Sequence, residues 1–287
     1  MMTVHDYTRR ESVFRIGGFP SETSHPHPAS GTLRRMSDAP PKIALFVTCL
    51  VNLFRPQAGF AAVQLLQDAG CEVIVPEAQT CCGQPPYNNG DTDAARDIAR
   101  DVIELLEGYD YVIVPSGSCA GMLVEHYPRL FDAAPDWGAR ATALAARTRE
   151  LTQFLADDLG LADLAFTPPS EPTALHDSCS ARRELGVLAQ PRRLLGDKVD
   201  LRELADAESC CGFGGTFCVK FPEISERMVT DKCAAIAQSG AQTLVSGDLG
   251  CLLNIAGRMS REGRNVRVFH IAELLIGATD GPGIGAS

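Results

Sequence analysis

Two Cys-Cys-Gly triplets, Cys81-Cys82-Gly83 and Cys210-Cys211-Gly212, stand at matched distances between outlying cysteines. Cys49 lies 32 positions before Cys81, and Cys179 lies 31 before Cys210. Cys119 follows Cys82 by 37 positions, and Cys251 follows Cys211 by 40. Eight of the eleven cysteines therefore belong to one pattern written twice. Adjacent cysteines rarely pair with each other, because an eight-membered disulfide ring strains the peptide between them. Four thiolates per copy are instead a ligand set for tetrahedral zinc or for an iron–sulfur cluster. Zinc favours compact Cys-x2-Cys turns, and the sequence has none. The splayed side chains of a vicinal pair suit a polynuclear cluster better, so the spacing favours iron–sulfur over zinc. Unmetallated buried thiols would have no packing reason to repeat the same spacing.

The glycine after each pair permits positive φ and a close approach of backbone amides to thiolate or sulfide charge. Gly212-Phe213-Gly214-Gly215-Thr216 extends the second triplet into a flexible loop, but without the Gly-Lys-Ser/Thr ending of a phosphate-binding P-loop. A Gly-x-Gly-x-x-Gly fingerprint followed by a ribose-binding acid is also missing, which argues against a nicotinamide or flavin nucleotide. Of the remaining thiols, Cys71 and Cys233 fall on apolar faces and read as core residues. Cys218, close to the glycine loop, is a lesser candidate as a ligand or redox-active thiol. His176 and Asp177 adjoin Cys179, where the imidazole could donate to a cluster sulfur or move protons. The favoured reading is a satisfied hydrogen bond that holds the loop. His126 and His270 have weaker claims, and Met122 reads as core.

Bulk properties narrow the setting. The 287 residues, 45% hydrophobic and 22% charged, are those of a globular chain with room for one large or two modest domains. A formal charge of −10 argues against a nucleic-acid or anionic-membrane surface. Apolar runs fall short of the roughly 18 residues that span a bilayer, and no signal-peptide pattern opens the chain. A cytoplasmic setting, with thiols kept reduced and available as ligands, is expected.

The elements that must gather these thiols can be followed along the chain. Residues 1–40, rich in Ser, Pro, His and Arg, read as a disordered tail with solvated His5, His25 and His27 and an alternative start at Met36. A continuously apolar strand over 43–49 leads to Cys49. A helix over 57–69 capped by Gly70 follows, then a strand over 71–75. After the first triplet, a helix starting at Asp91 or Asp93 carries Ala94, Ile98, Val102, Leu105 and Leu106 on one face, and a strand over 109–115 delivers Cys119. The second half repeats this order, with strands over 173–176 and 199–204. A helix from Pro222 presents Ile224, Met228, Val229, Cys233 and Ile236, with Gly240 as its cap. Residues 243–251 then form a strand-to-cysteine segment. A helix near 139–159 and a Pro-rich linker over 167–172 join a first domain, 41–166, to a second, 173–280, with a disordered tail over 281–287. Strands separated by helices imply an α/β fold of two pseudo-repeated Rossmann-like units with parallel sheets. Such sheets bind ligands at the carboxyl ends of their strands, where the outlying cysteines fall.

The doubled Cys-x31-Cys-Cys-Gly-x36-Cys and Cys-x30-Cys-Cys-Gly-x39-Cys pattern resembles the cysteine-rich, or CCG, domain family, which includes a component of heterodisulfide reductase. Four segments are similar to its lactate utilization branch: Cys81-Cys82-Gly83-Gln84-Pro85, Ser116-Gly117-Ser118-Cys119-Ala120-Gly121-Met122, Cys210-Cys211-Gly212-Phe213-Gly214-Gly215-Thr216-Phe217 and His270-Ile271-Ala272-Glu273-Leu274-Leu275. The resemblance, over about residues 42–277, implies an iron–sulfur electron-transfer subunit of an oxidoreductase complex converting L-lactate to pyruvate without nicotinamide. It implies lactate utilization proteins B and C as partners, and a cytoplasmic location, peripheral to the membrane through partners. Cys49, Cys81, Cys82 and Cys119 would ligate one cluster and Cys179, Cys210, Cys211 and Cys251 another, of [4Fe–4S] type, one or two per chain. The disulfide-reducing members add a fifth cysteine in a terminal Cys-x-x-Cys, where this chain has Met122 and Asn254. Ser180 stands where relatives often have histidine after the cysteine. The alternatives are a thiol–disulfide redox enzyme related to heterodisulfide reductase and a zinc-stabilised interaction scaffold.

Overall fold

A computed structural model of the chain describes residues 40–162 and 164–286. The expected N-terminal tail, with Met36, His5, His25 and His27, lies outside them but for residue 40. In the first half, β1 (Lys42–Leu45), β2 (Glu72–Ile74), β3 (Tyr111–Val114) and β4 (Thr148–Glu150) are ordered β2-β1-β3-β4. In the second, β5 (Thr173–Leu175), β6 (Leu201–Arg202), β7 (Thr243–Ser246) and β8 (Arg267–His270) are ordered β6-β5-β7-β8. Every pairing is parallel. The expected α/β fold of two Rossmann-like units is therefore observed, with one topology used twice. The central strands are buried on both faces, as at Ile43, Ala44 and Leu45 or Leu244 and Val245. This is why they read as unbroken apolar runs.

Three readings shift. The helix expected over 139–159 is two helical stretches separated by β4. Thr148 Oγ1 donates to Leu144 O at 2.8 Å as Pro135–Arg147 ends, and the Glu150 carboxylate accepts from the Thr152 and Gln153 amides at 2.7 and 3.0 Å to start the next turn. The Thr92–Leu106 helix starts at Asp91, whose Oδ1 accepts from the Ala94 amide at 3.1 Å. It buries Ala95, Ala99, Val102, Ile103 and Leu106, so the expected face is rotated by one position, with Ile98 and Leu105 at its margin. The Pro222–Gln238 helix buries Val229, Cys233 and Ile236 as expected, together with Ser225 and Lys232, and leaves Ile224 exposed. Near the C-terminus, Ile284 is buried and its amide donates to Val268 O at 2.7 Å.

The two halves share their interior. One apolar cluster runs from β1 and the Pro56–Asp68 helix through Leu151 and Phe154 into both faces of the second sheet. A second cluster fills the other face of the first sheet. Arg55 ties the halves together, pairing with Glu273 at 2.8 Å and donating to Pro282 O at 3.0 Å.

Candidate metal centres

Each outlying cysteine sits in the first turn of a helix that follows a strand. Cys49 opens Cys49–Phe54, whose cap Thr48 accepts from the Val51 amide; Cys179 opens Cys179–Arg183, whose cap Ser178 accepts from the Ala181 amide. Cys119 lies in Gly117–Gly121 after β3, and Cys251 in Leu249–Arg261 after β7, capped by Asp248. The positive end of a helix favours the thiolate form. The triplets lie in the loops after β2 and β6. Gly83 and Gly212 share φ +81°, which turns the chain sharply after each pair.

These segments bring each foursome into a ring. Sulfur-to-sulfur contacts run Cys49–Cys81–Cys82–Cys119 in the first half and Cys179–Cys210–Cys211–Cys251 in the second. Cys82 and Cys119 are 3.3 Å apart, and Cys179 and Cys210 are 3.9 Å apart. Burial repeats as well: Cys82, Cys119, Cys211 and Cys251 are buried, whereas Cys49, Cys81, Cys179 and Cys210 are partly exposed. Each ring is therefore deep on one side and open on the other.

The carbonyl of the second triplet cysteine is held in both halves, by different donors. Tyr127 Oη donates to Cys82 O at 2.9 Å, and Asn254 Nδ2 donates to Cys211 O at 2.9 Å. Asn254 occupies the position where a fifth cysteine would stand, and Met122, its counterpart, is core. The Gly212 and Phe213 amides lie 3.4 and 3.5 Å from the sulfurs of Cys210 and Cys211.

The protons are shared unequally. Hydrogen bonds from Cys49 and Cys82 hold the Cys81 thiol down at about 3, and those from Cys179 and Cys211, with the Gly212 amide, hold Cys210 at about 2. Cys49 and Cys179 are pushed up, first by giving their proton to that neighbour and then by burial. Cys82 and Cys211 are driven well up in the same way. At Cys251 the hydrogen bond from Cys211 favours the thiolate, but burial and the Asp248 carboxylate outweigh it. Cys81 and Cys210 are thus the thiols lowered in each set, and an incoming cation favours the thiolate form of its ligands.

The ring dimensions bear on what fits. Tetrahedral zinc with bonds of about 2.3 Å needs all four sulfurs ~3.8 Å from one another. Among the described residues, the set of three ligand atoms lying within 4.8 Å of one another is His176, Cys211 and Cys251. His176 therefore lies within ligand reach of two sulfurs of the second foursome, and the 3.3 and 3.9 Å sulfur contacts lie near the single-ion spacing.

The other candidates separate clearly. Cys71 and Cys233 are buried in the apolar cluster as expected. Cys218 takes no part in the second ring and faces Gly215 O at 3.4 Å. His126 approaches Glu184 at 3.6 Å and lies against the Tyr87 ring. His270 caps Ile271–Leu275: its Nδ1 accepts from the Ala272 amide, which leaves Nε2 to donate to Pro115 O at 3.1 Å. Asp177 is clamped by Arg192 through two 2.9 Å bonds. The reading of His176 as a satisfied loop residue is corrected. It is 2% exposed, yet neither ring nitrogen has a hydrogen-bond partner, and burial lowers its pKa to about 3. It lines a cavity of about 20 Å³ with Glu150, Thr152 and Ser178, room for one water molecule.

Sequence reasoning missed the seam between the two sites. Asp248 Oδ2 accepts from the Ser118 amide at 2.8 Å and from Ser116 Oγ at 3.3 Å, and the Gly117 amide donates to Gly247 O at 3.3 Å. The glycine loop of the second triplet meets Asn88 and Asn89, just past the first, through Gly214 O and Thr216 Oγ1. The carboxyl rims of the two sheets therefore face each other. Neither Asp248 nor Asn89 stands out by type or spacing, so this contact had no sequence signal.

A doubled parallel sheet with a four-cysteine ring at each rim defines the class. The chain belongs to the CCG cysteine-rich domain family, whose model matches residues 43–124 and 173–256. It is 47% identical over 236 residues to Lactate utilization protein A of Bacillus cytotoxicus, covering 82% of this chain and 98% of that one. Lactate utilization protein A 1 of Bacillus cereus, strain AH820, gives the same identity and coverage. Among solved structures, a hypothetical protein from Helicobacter pylori has a similar fold, with TM-score 0.56 at 14% identity. The match covers 86% of this chain, which spans half the length of that protein.

Proposed function

We propose that the chain serves lactate utilization as the iron–sulfur subunit of a complex that oxidises L-lactate to pyruvate. Its eight ring cysteines would hold two clusters of [4Fe–4S] type, and lactate utilization proteins B and C would be its partners. The observation that carries this reading is the pair of matched four-cysteine sets, each built at the rim where parallel sheets bind ligands. Kinship with proteins named for lactate utilization supports the pathway. Among the described residues no helix is long and apolar enough to cross a membrane, so any membrane acceptor would be reached through a partner.

An iron–sulfur cluster supplies storage and transfer of single electrons. The chain supplies the rest. Cys49, Cys81, Cys82 and Cys119, and Cys179, Cys210, Cys211 and Cys251, present thiolates. Tyr127 and Asn254 fix the backbone of each vicinal pair. The Gly212 and Phe213 amides point at thiolate charge. The Ser118–Asp248 seam keeps the two rims against each other. The exposed Cys49/Cys81 and Cys179/Cys210 edges are where a donor or acceptor would approach.

Anaerobic purification, iron and sulfide analysis, and electron paramagnetic resonance of the dithionite-reduced protein test the reading. Two clusters per chain are expected, with Cys82→Ser and Cys211→Ser each removing a different signal. Less than one iron per chain with stoichiometric zinc, or spectra unchanged in both variants, would reject it.

A further inference from the structure

The two halves run in step up to their first cysteines, and one residue breaks the match. Phe46 and His176 each follow directly on a strand, three positions before Cys49 and Cys179. The Phe46 amide donates to Ile113 O and the His176 amide to Val245 O, both at 2.9 Å. Leu45 pairs with Ile113 and Leu175 with Val245 in the parallel ladders, so the two residues hold the same register. In the first half this place is filled by a phenyl ring, buried in the apolar cluster that also takes in Cys82 and Cys119. In the second half it is filled by an imidazole.

A phenyl ring needs no partner in a core, whereas an imidazole left unpaired there keeps the full cost of its lost hydration. A neutral imidazole carries one N–H donor and one acceptor nitrogen. His176 is buried, and both nitrogens are without a hydrogen-bond partner among the described residues. Its surroundings offer one place for each. One ring nitrogen lies within 4.8 Å of the Cys211 and Cys251 sulfurs, which form the buried side of the second ring. It makes no hydrogen bond to either thiol, yet it is near enough to both to meet an atom seated between them. The imidazole also lines the small cavity it shares with the polar side chains of Glu150, Thr152 and Ser178.

We propose that His176 is a contact of the second centre that is not a cysteine: its ring nitrogen beside Cys211 and Cys251 donates a hydrogen bond to a sulfur of the cluster held there, which makes that centre easier to reduce. This rests on the two-cluster reading above. Donation, and not ligation, follows from the first half, where the same four cysteines stand with a phenyl ring in this place. The thiolates serve the irons, and sulfur is the acceptor left for an N–H group. The opposite nitrogen is served from the cavity. Reduction adds one electron, supplied by lactate oxidation in the complex or by dithionite in the test, and no bond in the protein is made or broken. A donor aimed at cluster sulfur stabilises the more negative state more, so it raises the potential.

Pulsed paramagnetic resonance of the full chain, made with isotopically ring-labelled histidine and reduced with dithionite, tests this. The signal lost in Cys211→Ser identifies the second centre. That centre should show a weak coupling to histidine nitrogen, of the size carried across a hydrogen bond. The coupling should vanish in His176→Phe, which gives the second half the residue that the first half already buries at this register. In a redox titration the same substitution should lower the second midpoint by about 59 mV, a tenfold fall in the reduced-to-oxidised ratio at fixed potential, and leave the first in place. Asp248, which caps the helix that carries Cys251, is common to both proteins, so the difference isolates the imidazole. The coupling is read on the wild type and decides the matter if His176→Phe does not fold. A second centre without histidine coupling, a coupling as strong as that of a direct iron–nitrogen bond, or an unmoved second midpoint in folded His176→Phe overturns the proposal. Iron and sulfide analysis separates the two levels: a wild type lacking the second cluster overturns the underlying reading and the proposal with it, whereas two clusters without the coupling overturn the proposal alone.

Discussion

Glu150 shows how a single side chain can make this fold sensitive to pH. It is fully buried at the end of β4, where loss of hydration raises its carboxyl from 4.5 to about 7 and the Asp248 carboxylate adds to the rise. The hydrogen bonds from Thr152 and Gln153 offset only part of this. Below about pH 4.5 both folded and unfolded chains are protonated here and the residue costs nothing. Between about 4.5 and 7 the unfolded chain releases its proton while the folded chain keeps it, so stability falls as pH rises. The shift corresponds to about 3 kcal/mol once both states are ionised. Glu150→Gln keeps the acceptor for the two amides and removes the ionisation. The variant should be more stable than wild type at about pH 8 by up to that amount and equal to it near pH 4.5. Urea unfolding at both pH values checks this, and equal stability at the higher pH would show that Glu150 ionises at no cost.

At the scale of elements, the turns after the vicinal cysteines carry the most stringent demands. Gly83 and Gly212 share a left-handed φ of +81°, but their surroundings differ. A Cβ at Gly212 would lie 2.8 Å from the backbone oxygen of Ser225, which cannot swing away, whereas one at Gly83 would meet the Ile98 Cγ2 methyl at 3.3 Å. Alanine at either site should cost about 1–3 kcal/mol from the backbone alone. Gly212→Ala should cost distinctly more than Gly83→Ala, and urea midpoints of the two variants measure the order. These turns were legible in the sequence because glycine after two cysteines has few other reasons to be there. The strand-to-cysteine segments were legible because strands buried on both faces leave unbroken apolar runs. β4 was not: its Thr148-Arg149-Glu150 is a polar edge strand of three residues inside a helical pattern, and what restarts the helix after it is a carboxylate accepting from two amides ahead of it. Lys232 was hidden for a related reason. Lysine is counted as a surface residue by default, and only the packing of its helix against Asp206 reveals it as core.

At the scale of the whole molecule, the shared interior decides how the chain unfolds. The apolar cluster that crosses both halves includes Ile43 and Leu66 of the first and Leu244, Ile255 and Phe269 of the second. Neither sheet can then lose its partner without exposing its own core. Trp137, the single tryptophan, stacks on Phe131 in the first half and reports that half alone, whereas far-UV circular dichroism sums both. The two urea transitions should coincide. Arg55→Met sharpens the test. The guanidinium belongs to the first half and is 14% exposed, and its partner Glu273, 2% exposed, also holds the His270 amide in the second. Removing it strands a buried carboxylate, at a cost near the low end of the usual range, about 3 kcal/mol. In one cooperative unit that loss reaches Trp137 through the shared core, and both curves should move to lower urea together. A tryptophan transition that stays put while the dichroism shifts would mean that the halves unfold separately and that the seam between the two rings can open while each sheet remains folded.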